Sequence, residues 1–162
     1  GELDAVQQRI EDFRAGGIDT EVWFVALGAE TDCHAGMEEF IEAHRPDLRG
    51  AIVIELDSLG AGSLCTVARE GILKPAVASS RMKRYAKHAS QVSGVPVDTT
   101  SILWQESAAS TALRNGLQAM HLVGMDGTKP ALYAQANDVA DNIDPEILAE
   151  NANFVVEVVK GI

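Results

Sequence analysis

The chain has 162 residues, 46% of them apolar and 23% charged, the proportions of one folded domain and not of a disordered or fibrous chain. At that length a single core buries roughly 68–70% of the unfolded surface, so folding requires no disulfide or metal staple. The balance of 13 Lys and Arg against 24 Asp and Glu leaves a net charge of −11, which makes nucleic acid and anionic membrane poor partners for the molecule as a whole.

In chain order, Leu3, Val6, Ile10 and Phe13 recur at helical spacing, and Gly16-Gly17 ends that helix. Glu21–Leu27 (EVWFVAL) reads as a buried strand. Met37, Phe40, Ile41 and His44 mark a second helix, stopped by Pro46. Ala51–Leu56 (AIVIEL) is a strand whose one polar residue is Glu55, and Ser63–Ala68 is a shorter strand. A third helix spans Ser79–Val92 with Met82, Tyr85, Ala86 and Ala89 on one face. Val95–Val97 and Ile102–Trp104 are short extended segments, and Ser107–Arg114 is an Ala-rich helix ended by Asn115-Gly116. Ala119–Val123 (AMHLV) is a strand. The last helix is capped by Asp144, has Pro145 at its first position and closes at Lys160-Gly161. Strands alternating with helices predict a three-layer α/β/α fold, a mostly parallel sheet with helices on both faces, as one domain over residues 1–162. The chain opens on Gly1 without Met and is expected to be a piece of a longer protein.

No apolar run approaches the ~20 residues that span a bilayer, and no signal peptide is visible. Cys33 and Cys65 leave a disulfide and two free thiols both open, free thiols being the expectation where no staple is needed.

Two apolar runs end in an acid beside small residues: VALGAETDCHAG (Val25–Gly36) with Glu30, and IELDSLG (Ile54–Gly60) with Asp57. A buried strand that delivers a carboxylate to its C-terminal edge places it where α/β proteins carry chemistry. Glu30 can serve as a general base or metal ligand, or it belongs to a loop in which Asp32 caps the following helix. An ionised Asp57 at a buried strand end needs a metal, an Arg or backbone N–H groups, unless it is a turn or cap residue. Asp32, Cys33 and His34 form a compact trio of zinc-ligand types, although adjacent loop residues rarely close a site unaided. His121 reads as a hydrogen-bonded core histidine, and His44 and His88 as solvated. Arg81, Lys83, Arg84 and Lys87 read as a solvated helix face, with a docking patch for an acidic partner as the alternative. P-loop, GxGxxG, GxSxG and CxxC signatures are absent.

Taken together, these motifs resemble the co-catalytic zinc exopeptidase family, which includes bacterial aminopeptidases and carboxypeptidases, the glutaminyl cyclases and the transferrin-receptor ectodomain. GAETDCHAG is similar to the family's Glu-Glu loop, Asp57-Ser58-Leu59-Gly60 to its Asp-x-x-Gly, and QESAASTALRNGLQAMHLV to its Ser-Asp, short helix and Gly-Ile-Pro. YAQANDVADNIDPEIL (Tyr133–Leu148) resembles its Tyr-His, Asp and "Asp-x-Ile-Asp" run. The resemblance covers about Glu21 to Ile162. It implies Glu30 at the general base and Asp57 at a zinc ligand. It also shows departures: Thr31 stands at the second Glu, Ala134 at the C-terminal histidine, and no His-x-Asp occurs. Of the ligand positions implied, Asp57 alone is kept. The expectation is a degenerate peptidase-like domain, with Glu30 and Asp57 vestigial, no cofactor, and a role as a binding or structural module. Its partner is then an unidentified protein or peptide, and its parent chain is membrane-anchored and extracytoplasmic. The alternative is a divergent zinc aminopeptidase or amidohydrolase acting on peptide N-termini, with Glu30 as base. A third option is that another segment or subunit supplies the missing ligands.

Overall fold

The computed structural model describes residues 2–15, 21–29 and 34–162. Helix α1 spans Glu2–Arg14 and α2 spans Ala35–His44. Strand β1 (Ile52–Asp57) is followed by β2 (Ser63–Glu70), β3 (Ala76–Val77), α3 (Ser80–Ser93) and β4 (Asp98–Ile102). Then come α4 (Ala108–Arg114), β5 (Gln118–Asp126), β6 (Lys129–Pro130), a 3₁₀ turn at Ala140–Asn142 and α5 (Pro145–Gly161). The sheet runs in the order β1-β5-β2-β3, with β4 also on β2 and β6 on β5. Parallel ladders join β1 to β5 and β2 to β4, and these pair more residues than the antiparallel ladders of β2 with β5, β2 with β3 and β5 with β6.

Alternation along the strands separates the two faces. Ile52, Ile54, Leu56, Met120 and Leu122 face α1, α3 and α5, where Val6, Ile10, Met82, Ala86, Phe154 and Val158 complete the larger core. Val53 and Ala119 face the other way, onto Met37 and Ile41 of α2 and Ala108, Ala109 and Ala112 of α4. On that same side Cys65, Val67, Ile102, Val123 and Met125 form a smaller cluster. The three-layer α/β/α architecture is thus present, and helix α5 carries the caps read from sequence: the Asp144 carboxylate accepts from the N–H groups of Glu146 and Ile147.

Three elements differ from the sequence reading. Glu21–Ala29, expected to hold a buried strand, has no regular structure and is mostly exposed, with Val22 packed on the larger core and Leu27 on the α2–α4 side, and no ladder pairs it among the described residues. Its tether is side-chain packing. The Trp23 ring, 45% exposed, meets Phe40 and His44 edge-on at 6.3 and 5.4 Å between centroids. A run of apolar residues predicts a buried strand, whereas a ladder also needs a neighbouring backbone. Second, the strand in this region is β4, Asp98–Ile102, which lies between the expected segments Val95–Val97 and Ile102–Trp104 and shares only Ile102 with them, because β-branched Thr99 and Thr100 suit a half-exposed edge position. Third, β2 continues two residues beyond Ala68. Its register against β4 slips between Val67 and Arg69, so a bulge at Ala68 turns Arg69 outward and Glu70 inward. Cys65 is a buried free thiol whose burial raises its pKa, and Cys33 lies outside the described residues.

Candidate functional site

Asp57 closes β1 and pairs in register with Val123 of β5. The chain then turns sharply through Ser58, whose φ is 51°, and Ala61 N–H donates back to the Ser58 carbonyl. This turn lies directly on β5: a Cβ at Gly124 would sit 2.0 Å from the Ala61 carbonyl oxygen and 2.2 Å from that of Ser58. Glycine there lets the turn hold Asp57 in place. The Ser58 hydroxyl donates to Asp57 Oδ1 at 2.8 Å. The Asp57 side chain is 41% exposed, and its other oxygen lies 3.9 Å from His121 Nε2. Burial raises the Asp57 pKa, against the opposing pull of the Ser58 hydrogen bond and the His121 charge.

His121 is almost fully buried and sits among carboxylates. Its Nδ1–H donates to Glu70 Oε1 at 3.1 Å, and the Ser107 hydroxyl donates to Glu70 Oε2 at 2.5 Å. Glu55, its register partner on β1, accepts from the first two amides of α4, Ala109 N–H at 2.7 Å and Ala108 N–H at 3.3 Å. A carboxylate at a helix N-terminus satisfies donors that have no intrahelical partner. Burial by itself lowers the imidazolium pKa. The Glu70 hydrogen bond and the charges of Glu55, Glu70 and Asp57 outweigh it and push His121 up to about 9. His121 Nε2 has no hydrogen-bond partner of its own, with Asp57 beyond bonding distance. Sequence reading found His121 as a bonded core histidine but missed Glu70 and Ser107. The signal that pointed to Glu55 was its being the one polar residue inside an apolar run.

The loop before α4 supplies a second polar group. Arg114 clamps Glu106 through two hydrogen bonds of 2.6 Å, which lowers the Glu106 pKa. His34, at the start of α2, bonds the Glu106 carbonyl through Nε2 at 2.7 Å, and its buried Nδ1 has no partner. Trp104 and Tyr133 meet edge-on at 5.3 Å between centroids, so the residue before Ala134 is tied to this loop. Glu106 is thereby committed to Arg114, and His34 to backbone. Glu30, Thr31, Asp32 and Cys33 lie outside the described residues, so the expected base and the Asp32–Cys33–His34 trio are described only at His34.

Zinc is the metal that the sequence resemblance implies, and a zinc site needs three or more protein ligands. Among the described residues no three His, Cys, Asp or Glu side chains converge. Asp57 has one nitrogen near it, His121 Nε2, at 3.9 Å. Ala134, with φ 53°, offers a methyl group. The described residues therefore do not form a zinc site.

The chain is similar to known peptidases in sequence pattern and in fold. Residues 5–159 match the model of peptidase family M28. No curated protein sequence matches the chain. Among solved structures, the LapA aminopeptidase of Legionella pneumophila superposes with a TM-score of 0.68 at 10% identity, over 95% of this chain and 43% of LapA. The zinc aminopeptidase BSAP of Bacillus subtilis gives 0.63 at 14% identity, over 84% of this chain and 34% of its own. An aminopeptidase from Aneurinibacillus sp. strain AM-1 gives 0.59 at 20% identity, over 82% and 31%. The chain thus spans less than half the length of these enzymes, and its fold is theirs. The chain belongs to peptidase family M28.

Proposed function

We propose that this domain is a member of the family whose zinc centre has been lost and that works as a binding or structural module. The surroundings of Asp57 carry this reading. The carboxylate that corresponds by resemblance to a metal ligand has one imidazole nitrogen near it, His121 Nε2 at 3.9 Å, and Ala134 stands at the position of another ligand. The neighbouring carboxylates raise the His121 pKa, so a metal would have to displace a proton to use Nε2. The partner is a protein or peptide. Like the transferrin-receptor ectodomain, the domain belongs in this reading to a membrane-attached parent.

One observation favours an active enzyme instead. Glu70 holds His121 by Nδ1 and leaves Nε2 directed at Asp57, the carboxylate–histidine arrangement that orients metal-binding imidazoles. In that reading Glu30 is the general base, peptide N-termini are the substrate, and residues near Glu30 complete the ligand set. Elemental analysis of the purified chain, with aminoacyl-nitroanilide hydrolysis measured for wild type and Glu30→Gln, separates the two. The module predicts sub-stoichiometric zinc and no turnover. Stoichiometric zinc with turnover lost in Glu30→Gln establishes the enzyme.

A further inference from the structure

We propose that the end of the domain opposite Asp57 docks on an anionic lipid bilayer, with the β2–β3 loop tip entering the headgroup region. Because β2 runs against β5, its last residues lie toward Gln118, the start of β5, while Asp57 lies at the level of Val123. The loop 71–75 closes there. Helix α3 begins at the same end, since its capping Ser79 hydroxyl donates to Gln118 Oε1 at 2.8 Å.

Two properties coincide at this end. The first is charge. Residues 69–87 hold six of the 13 Lys and Arg of the chain: Arg69, Lys74, Arg81, Lys83, Arg84 and Lys87. All six are exposed, and none is ion-paired with a carboxylate among the described residues. The one acid in that stretch, Glu70, is buried on His121. Residues 126–150, by contrast, carry six acids and one cation, Lys129. They leave β5 at the Asp57 end and return there, where Asp144 N–H donates to the Gly60 carbonyl. Of these two stretches, the acidic one lies toward Asp57 and the basic one begins at the opposite end.

The second property is apolar exposure. Ile72 and Leu73 are 61% and 92% exposed, and Val77 on β3 is 56% exposed. A cation patch for nucleic acid gains nothing from a leucine standing in water. A bilayer supplies both partners, phosphates for the six cations and an acyl boundary for Ile72 and Leu73. This orientation turns the Asp57 end away from the membrane. No helix of the described residues is long and apolar enough to cross a membrane, so the contact proposed is peripheral.

The test is co-sedimentation of the 162-residue chain with vesicles of phosphatidylcholine alone and of phosphatidylcholine mixed equally with phosphatidylserine. Binding is expected to the mixed vesicles only, and to weaken as salt shortens the screening length. Each cation near such a surface contributes about fivefold, so Lys83→Ala/Arg84→Ala/Lys87→Ala together weaken binding about a hundredfold. Leu73→Ser weakens it by about tenfold or more through lost apolar burial. Leu73→Trp emission shifts to the blue on mixed vesicles. These side chains are exposed, and circular dichroism confirms that each variant is folded. Equal binding to both vesicles, or none to the mixed ones, overturns the proposal. Loss in the triple variant without loss in Leu73→Ser also overturns it, in favour of an acidic polymer. Self-association in sedimentation velocity that Leu73→Ser abolishes overturns it in favour of a second copy.

Discussion

A histidine in the middle of an apolar strand is stable only if the groups around it settle its charge. His121 does this with Glu70 on one nitrogen and the charges of Glu55 and Asp57 nearby, and its pKa rises from 6.5 to about 9. The folded state therefore holds this proton more tightly than the unfolded chain. The stabilisation is complete below pH 6.5 and is lost as pH rises from there to about 9. A shift of that size corresponds to roughly 3 kcal/mol. Urea midpoints measured across this range are expected to fall for wild type and to stay nearly flat for His121→Gln, which starts from lower stability at pH 6.5. Much of this residue-level picture was not legible in the sequence. AMHLV marks His121 as buried, but the inward turn of Glu70 depends on the bulge at Ala68, which appears only once β2 is laid against β4. Asp57 was legible as a strand-end acid, because an apolar run followed by Ser-Leu-Gly leaves few other ways to end. Its compensation by Ser58 and His121 was not, since His121 is distant in sequence and meets it only through the β1–β5 register.

Among the elements, those with strong local signals kept their predicted extent. Helix α3 has Ser79 as its cap, accepting from Met82 N–H, and Gly94 with φ 77° at its end. Helix α4 has Ser107 and Ser110 in a reciprocal capping box, and α5 has Asp144 and Pro145. Such signals act within one turn of chain and can be read without tertiary structure. Extended segments are different, because their hydrogen bonds are made to another strand. Glu21–Leu27 shows this most clearly, with a buried strand's apolar run and no ladder among the described residues. The turn after β1 is also decided by a distant neighbour, Gly124. Gly124→Ala would drive a methyl group into two backbone carbonyls, which cannot rotate away. Overpacking of this kind costs about 1–3 kcal/mol. The expected result is a lower denaturation midpoint with an unchanged slope, together with shifted amide resonances at Asp57 and Ser58, the residues this contact holds.

For the whole molecule, stability rests on the three apolar clusters on the two faces of the sheet. The α1–α3–α5 side is the larger, and Phe154 is fully buried in it. Phe154→Ala is expected to cost about 3–5 kcal/mol. In a chain of this size that lowers the melting temperature by on the order of 10 °C, measurable by calorimetry. The amino-acid sequence by itself determined the α/β class, the capped helices, the apolar strands and the strand-end acid Asp57. These follow from periodicity and capping, which are properties of neighbouring residues. The tertiary structure decided which strands pair, which way Glu70 points and which residues surround Asp57. It also decided where the basic stretch 69–87 and the acidic stretch 126–150 sit relative to Asp57. Each of these depends on groups brought together from distant parts of the chain, and one residue of register or one bulge is enough to reverse which face a side chain occupies.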